Sequence, residues 1–161
     1  MLVKDIMTKN VLTVRTTASI REVAHMLLDH HIAGIPVVNR KGGLAGIVSE
    51  GDLLRKEVGP EQPDALCILG AVIYYSGLEE YHESFRKFAA RTAEDIMTDK
   101  VITVGPDDDV ADVARIMLEK KIKRVPVLDH GNLVGIVARA DIVRMMLGGD
   151  EAGSAGTESD G

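Results

Sequence analysis

The chain has no tryptophan, and its three tyrosines and two phenylalanines supply only 3% of its 161 residues. Its core must therefore be assembled from Val, Ile, Leu, Ala and Met. A flat ligand would find few rings to stack on. A single cysteine, Cys67, excludes an intrachain disulfide and any zinc site built from clustered thiolates. It lies in an apolar run, where a free thiol is usually a small buried hydrophobe. That run, Ala65 to Tyr75, is the longest of the chain and is far short of the roughly 20 residues a membrane-spanning helix needs. The first residues, MLVKDIMTK, contain no apolar stretch of the kind that marks a signal peptide, so a cytoplasmic protein with no membrane insertion is expected. The net charge is −6 and there is no basic stripe, which argues against nucleic acid as a partner. The five histidines, His25, His30, His31, His82 and His130, show no metal-ligand spacing with carboxylates. No phosphate-binding glycine loop and no nucleophile–base pairing occurs, so the chain reads as a non-enzyme.

What the sequence does have is a repeat. Val3 to Val14 reads VKDIMTKNVLTV and Ala93 to Val104 reads AEDIMTDKVITV, with seven of twelve positions identical at an offset of 90. Val23, Ala24, Leu28, Ile32, Pro36 and Val37 recur as Val113, Ala114, Leu118, Ile122, Pro126 and Val127. After a one-residue deletion in the second copy, Gly46-Ile47-Val48 recurs as Gly135-Ile136-Val137, and Asp52 as Asp141. An internal repeat decides the architecture before any local feature does. Each copy has about 55 residues, a size that buries only about 60% of its unfolded surface, so the two are expected to share one body.

Each copy reads as βαββα. Val11 to Val14 is a short β-branched run. Ile20, Val23, Ala24, Leu27 and Leu28 follow helical spacing, with Ser19 as N-cap and Glu22 completing a capping box. Val110, Val113, Ala114, Met117 and Leu118 repeat that face behind Asp109, and Asp107-Asp108-Asp109 reads as a helix start and not as a magnesium cluster. Two apolar runs then flank a turn signal, 34–38 and 44–48 in the first copy and 124–128 and 133–137 in the second, which predicts hairpins. Short helices follow, Gly51 to about Val58 and Ala140 to about Leu147, with stops expected at Gly59-Pro60 and Gly148-Gly149.

These patterns divide the chain into repeat 1 (1–59), an insert (60–92), repeat 2 (93–148) and a mobile acidic tail (149–161). The insert carries all five aromatics: Tyr74, Tyr75, Tyr81, Phe85 and Phe88. Leu78, Tyr81, Phe85 and Phe88 recur at spacings of three and four, which predicts a helix from about Gly77 to Ala90 behind a buried run at Ala65 to Tyr75. Such a concentration of apolar rings suits packing onto its own module or a dimer surface.

The order of these features resembles the cystathionine-β-synthase (CBS) domain. It comprises DIMT, a V-x-T-V strand, an alanine-bearing helix, a strand around Pro-Val, then Gly-Ile-Val-Ser-x-x-Asp. Two copies resemble a CBS pair, or Bateman module, over about 110 residues. The resemblance implies a mixed α/β fold in which two βαββα repeats pack with pseudo-twofold symmetry across a cleft, with a helical insert between them. It also implies a regulatory sensor of adenosine-containing ligands, AMP, ADP or ATP, with S-adenosylmethionine or NAD as alternatives. A homodimer acting on a separate effector protein is implied too. A structural dimerisation module with degenerate sites is the rival.

Carried over residue by residue, the resemblance puts a ribose on Asp52 and Asp141. It puts phosphate near Ser49 and the helix start, and adenine near Thr13 and Ile35-Pro36, or Thr103 and Val125-Pro126. The residues alone allow a second reading, because Ser49 to Asp52 has capping-box spacing. In the second copy Ala138 replaces the serine and cannot cap, yet Asp141 persists, which favours ribose binding there. Lys123, Arg124 and Arg139 make the second site the more cationic. Their counterparts are Ala33, Gly34 and Glu50. The second site is therefore the better candidate for a charged nucleotide. Tyr74 or Tyr75 is a conceivable lid.

Overall fold

The computed structural model describes residues 1–58, 64–68 and 71–151. Two units emerge, and they do not coincide with the two sequence repeats. One unit is formed by Leu12–Lys100. The other joins Met1–Val11 to Val101–Gly161. The DIMT segment of each repeat thus belongs to the unit built from the rest of the other repeat.

In the Leu12–Lys100 unit, helix α2 (Ile20–Asp29) follows strand β1 (Val14–Arg15). Strand β2 (Gly34–Val38) then runs parallel to β1 and antiparallel to β3 (Leu44–Ser49), in the order β1-β2-β3. Ser19 Oγ accepts from Glu22 N at 3.1 Å and the Glu22 carboxylate accepts from Ser19 N at 2.8 Å, the capping box the spacing predicted. Val23 and Leu27 of α2 meet Ile35, Val37 and Val48 in an aliphatic core. That core is completed by Ala93, Ile96 and Met97, so helix α5 (Ala93–Ile96) closes it from the far end of the sequence. Thr98 pairs with the outer edge of β3, with reciprocal bonds to Ile47 of 2.9 and 3.0 Å.

The other unit repeats the plan with the roles exchanged. Helix α1 (Val3–Ile6) brings the fully buried Val3 to a core of Val113, Met117, Val125, Val127 and Val137. Thr8 bonds to Ile136 in both directions, at 2.9 and 3.0 Å, in β7 (Asn132–Ala138), the antiparallel partner of β6 (Arg124–Asp129). Asp109 caps α6 (Val110–Glu119) by accepting from Ala111 N at 2.7 Å, Asp108 accepts from Gly105 N at 2.7 Å, and Asp107 pairs with Lys4 at 2.7 Å. Asp109 thus caps the helix, Asp108 closes the turn before it and Asp107 ties that turn to α1; among the described residues no group of three or more acids, histidines or cysteines is placed to hold a metal.

Glycines explain the exchange. A Cβ at Gly46 would lie 2.6 Å from Met97 Sδ and 2.7 Å from the Thr98 carbonyl oxygen. A Cβ at Gly135 would run into the Met7 side chain. The Met-Thr of each DIMT segment therefore lies against the glycine of Gly-Ile-Val in the other repeat.

Several elements depart from the sequence expectation. The first strand shrinks to two residues, and its second-copy counterpart is the single bridge of Val104 to Val127. Helix α3 is Glu50–Val58, and α7 runs from Arg139 to Glu151, through the expected stop at Gly148-Gly149. Glycine costs a helix about 1 kcal/mol but keeps its N–H, so it does not break the ladder as proline would. The insert holds its expected helix, α4 (Leu78–Phe88), preceded by a hairpin of β4 (Asp64–Ile68) and β5 (Ala71–Ser76). The β-branched and aromatic run Val72 to Tyr75 suits a strand. Helix α4 packs along α3, and Arg86 reaches the Met97 carbonyl at 3.4 Å. The expectations for Gly59-Pro60, for the tail beyond Glu151 and for the side chains of Cys67, Tyr74, Tyr75, Phe85 and Phe88 lie outside the described residues.

Candidate functional site

Each unit places its carried-over residues where a hairpin strand turns into a helix. In the Leu12–Lys100 unit that is the passage from β3 to α3. Asp52 is buried in the first turn of α3. Its Oδ2 accepts from Ser49 N at 2.9 Å and from Ser49 Oγ at 3.2 Å, while Oδ1 faces Arg55 Nη1 at 3.3 Å. In the other unit Asp141 Oδ2 accepts from Ala138 N at 2.8 Å, and Oδ1 pairs with Arg144 Nη1 at 2.9 Å.

This geometry corrects one step of the sequence argument. The persistence of Asp141 opposite an alanine does not require a ligand. The carboxylate reaches back to a backbone N–H, which Ala138 supplies as well as Ser49 does. Both aspartates are first of all helix-start anchors. Each Oδ1 lies beside an arginine that is itself mostly exposed.

The Pro-containing strands supply the second part of the site. Ile35 and Val125 turn their side chains wholly into the two cores. Neither can present aliphatic surface to a base, so a contribution from these positions would be through the main chain. Pro36 and Pro126 alternate to the opposite face. Proline also sets where the parallel pairing ends. Val104 N donates to the Pro126 carbonyl at 3.1 Å and Leu128 N donates to the Val104 carbonyl at 2.9 Å. The next rung would need the N–H that Pro126 lacks. The same holds at Pro36, where pairing with β1 begins only at Val37. The main-chain groups of Gly34 bond neither way to β3, since Ala33 and Ile35 take that side. They point past the end of β1, beside the segment carrying the half-buried Thr13. Sequence reasoning placed a base near Ile35 and Pro36 and named Gly34 only as the counterpart of Arg124, without its outward main chain. The available signal was the missing donor of the proline two residues on.

The cations of the second site separate. Arg139 folds back over α6, with Nε donating to the Ile122 carbonyl at 3.0 Å and Nη2 to the Met117 carbonyl at 3.1 Å. It thereby ties the last turn of that helix to the segment leading into β6. Lys123 is exposed, and Arg124 is half-buried at the head of β6, in register with Ala138. Thr103 is exposed just before the Val104 bridge.

The CBS domain model matches residues 3–59 and again 93–148, the two repeats. The chain belongs to the CBS domain family. It is 34% identical over 155 residues to the uncharacterized protein MJ1426 of Methanocaldococcus jannaschii, covering 91% of this chain and 92% of that one. It is 30% identical over 150 residues to the chloroplastic CBS domain-containing protein CBSX2 of Arabidopsis thaliana, covering 90% of this chain but 63% of that protein. The crystal structure of CBSX2 in complex with AMP superposes with a TM-score of 0.76 at 28% identity, covering 91% of this chain and 97% of that one. The CBS domain pair of protein MJ0100, in complex with 5′-methylthioadenosine and S-adenosyl-L-methionine, superposes with a TM-score of 0.70 at 31% identity, covering 92% and 98%. The fold of this CBS pair is thus the mixed α+β fold its repeats implied. No helix among its described residues is long and apolar enough to cross a membrane.

Proposed function

We propose that this CBS pair is a regulatory module, without catalysis of its own, whose two units each bind an adenosine-containing ligand, with AMP, ADP or ATP the leading candidates. One observation carries the reading. A main-chain edge left open by Pro36 or Pro126 lies at the same place in each unit as a carboxylate anchored in the first turn of the next helix. Outward main-chain groups suit the hydrogen-bonding edge of a base, a carboxylate suits a ribose diol, and helix N–H groups suit a phosphate. Two CBS pairs of like fold hold AMP in one case, and 5′-methylthioadenosine and S-adenosyl-L-methionine in the other. Ligand would favour one arrangement of the module, an effect typically worth about 1–3 kcal/mol, and pass it to an effector protein. S-adenosylmethionine and NAD suit the same chemistry.

A homodimer belongs to this reading. Leu54 and Val58 of α3 are 65% and 80% exposed, and their counterparts Val143 and Leu147 of α7 are 57% and 66% exposed. An apolar stripe that recurs in both units suits coverage by a second copy. The same stripe favours the second reading, a dimerisation module with empty sites.

Calorimetric titration and thermal shift with AMP, ATP, S-adenosylmethionine and NADH test the proposal in a cytosol-like buffer. Ligand at 100 times its Kd should stabilise by about 2.7 kcal/mol, or roughly 5–10 °C. No heat and no shift with any of them would leave the dimerisation module.

A further inference from the structure

We infer that the two sites divide adenosyl ligands by charge, the Val101–Gly161 unit taking a phosphate-bearing nucleotide and the Leu12–Lys100 unit an adenosyl ligand with no phosphate, neutral or cationic. This rests on the reading of two adenosyl sites given above. The frame is the same in both units. Arg139 N donates to the Lys123 carbonyl at 3.0 Å, and Glu50 N donates to the Ala33 carbonyl at 3.0 Å. Arg124 stands in register with Ala138, as Gly34 does with Ser49. Three superposable positions around each helix start therefore read Lys, Arg, Arg in one unit and Ala, Gly, Glu in the other.

Arg139 is held on the carbonyls of Met117 and Ile122 and gives long-range field only. Lys123 is exposed, and Arg124 shares the face of Pro126 and Ala138, away from the core. A phosphate approaching the α7 start meets the helix dipole and the exposed Lys123, within the field of Arg124. At the α3 start the dipole is the same, but the exposed Glu50 carboxylate stands in the first turn with no cation at 33 or 34. A phosphate is repelled there, whereas a neutral 5′ substituent is tolerated and a cationic one attracted.

The test uses the full chain, with AMP and 5′-methylthioadenosine as probes in calorimetric titration at two salt concentrations. One AMP site and one 5′-methylthioadenosine site, neither displacing the other, are expected. K123A/R124G should weaken AMP at least tenfold and flatten its salt dependence, while 5′-methylthioadenosine keeps its affinity within twofold. The exposed single variants K123A and E50K carry the test if the double variant folds poorly. K123A should weaken AMP, and E50K should add a second AMP site. Two equal AMP sites in the wild-type chain, or AMP affinity unchanged in K123A/R124G and K123A, would overturn the inference and leave the adenosyl reading standing. Binding of neither probe would overturn both.

Discussion

The contact between Gly46 and the exchanged segment gives the sharpest test of the fold. A methyl group at position 46 would meet the Met97 side chain, Sδ at 2.6 Å and Cγ at 2.8 Å, and the Thr98 carbonyl oxygen at 2.7 Å. The thioether can swing away at the cost of a rotamer, but the carbonyl belongs to a backbone pinned by two bonds to Ile47. Relief therefore requires Thr98 to retreat and those bonds to stretch. Overpacking costs about 1–3 kcal/mol, and a weakened hydrogen bond adds about 0.5–1.5 kcal/mol. Against this, alanine lowers the entropy of the unfolded chain, returning about 0.4–1 kcal/mol. The net loss for Gly46→Ala is about 0.5–4 kcal/mol, centred on about 2 kcal/mol, which is a fall in Tm of roughly 4–8 °C for a chain of this size. At Gly135 the nearest atoms all belong to the Met7 side chain, so Gly135→Ala should cost less than Gly46→Ala, and Met7→Ala should couple to it by at least about 0.5 kcal/mol. Urea and thermal unfolding of both variants decide the matter. Gly135→Ala as damaging as Gly46→Ala would refute the argument.

Other outcomes follow from the same geometry. Arg139→Ala should destabilise by about 1–2 kcal/mol in urea unfolding, through two charge-assisted bonds, one to Met117 in the last turn of α6 and one to Ile122 just beyond it, and should change AMP affinity far less than K123A does. Lys121 ends α6 at φ 54°, a left-handed conformation that costs a side chain about 1 kcal/mol, so Lys121→Gly should raise Tm by a few degrees. The Asp95 carboxyl is held below its ordinary value, first by the Arg91 N–H, then by Thr92. A depressed folded pKa stabilises above the unfolded value, about pH 4, and that contribution is lost as pH falls through the folded value, so Asp95→Asn should flatten the acid limb of a Tm-against-pH curve. A fragment spanning 12–100 should show cooperative unfolding and dispersed amide shifts, and one spanning 1–59, which lacks Ala93, Ile96 and Met97, should show neither.

The helices, hairpins and capping boxes were legible because they are local. Ser19 and Glu22, Asp109, and the alternation around Pro36 and Pro126 act within a few residues of themselves. The one-residue deletion was legible too. The first hairpin turns through Asn39, whose Oδ1 accepts from Lys41 and Gly43, and the second turns tightly through His130 and Gly131, both at positive φ. What the sequence hid was which copy each DIMT segment serves. The two segments are so alike that pattern alone cannot say whether Met7 meets Gly46 or Gly135. The site was half legible. Asp52 and Asp141 were legible as first-turn residues of α3 and α7, but whether a carboxylate reaches a backbone N–H or a ribose depends on the path of the chain, as does the diversion of Arg139.

The exchange also accounts for where the repeats agree best. A segment folded into its own repeat needs to fit only its own neighbours, and two such repeats could drift apart independently. Here the first DIMT segment must fit the strand of the second copy, and the second that of the first. Each core is completed by residues from the opposite half of the sequence, Val3 in one and Ala93, Ile96 and Met97 in the other. Burying a Val, Ile or Met stabilises by about 1.5–3 kcal/mol each, so losing Ile96 and Met97 alone removes about 3–6 kcal/mol, comparable with the whole stability of a small domain. Neither repeat can therefore close its core without the other. Asp5, Met7 and Thr8 match Asp95, Met97 and Thr98 because both sets carry out the same task, on Gly135-Ile136 and Gly46-Ile47 respectively. The positions around the two helix starts take no part in that exchange, and it is there, at Ala33, Gly34 and Glu50 against Lys123, Arg124 and Arg139, that the two copies are free to differ.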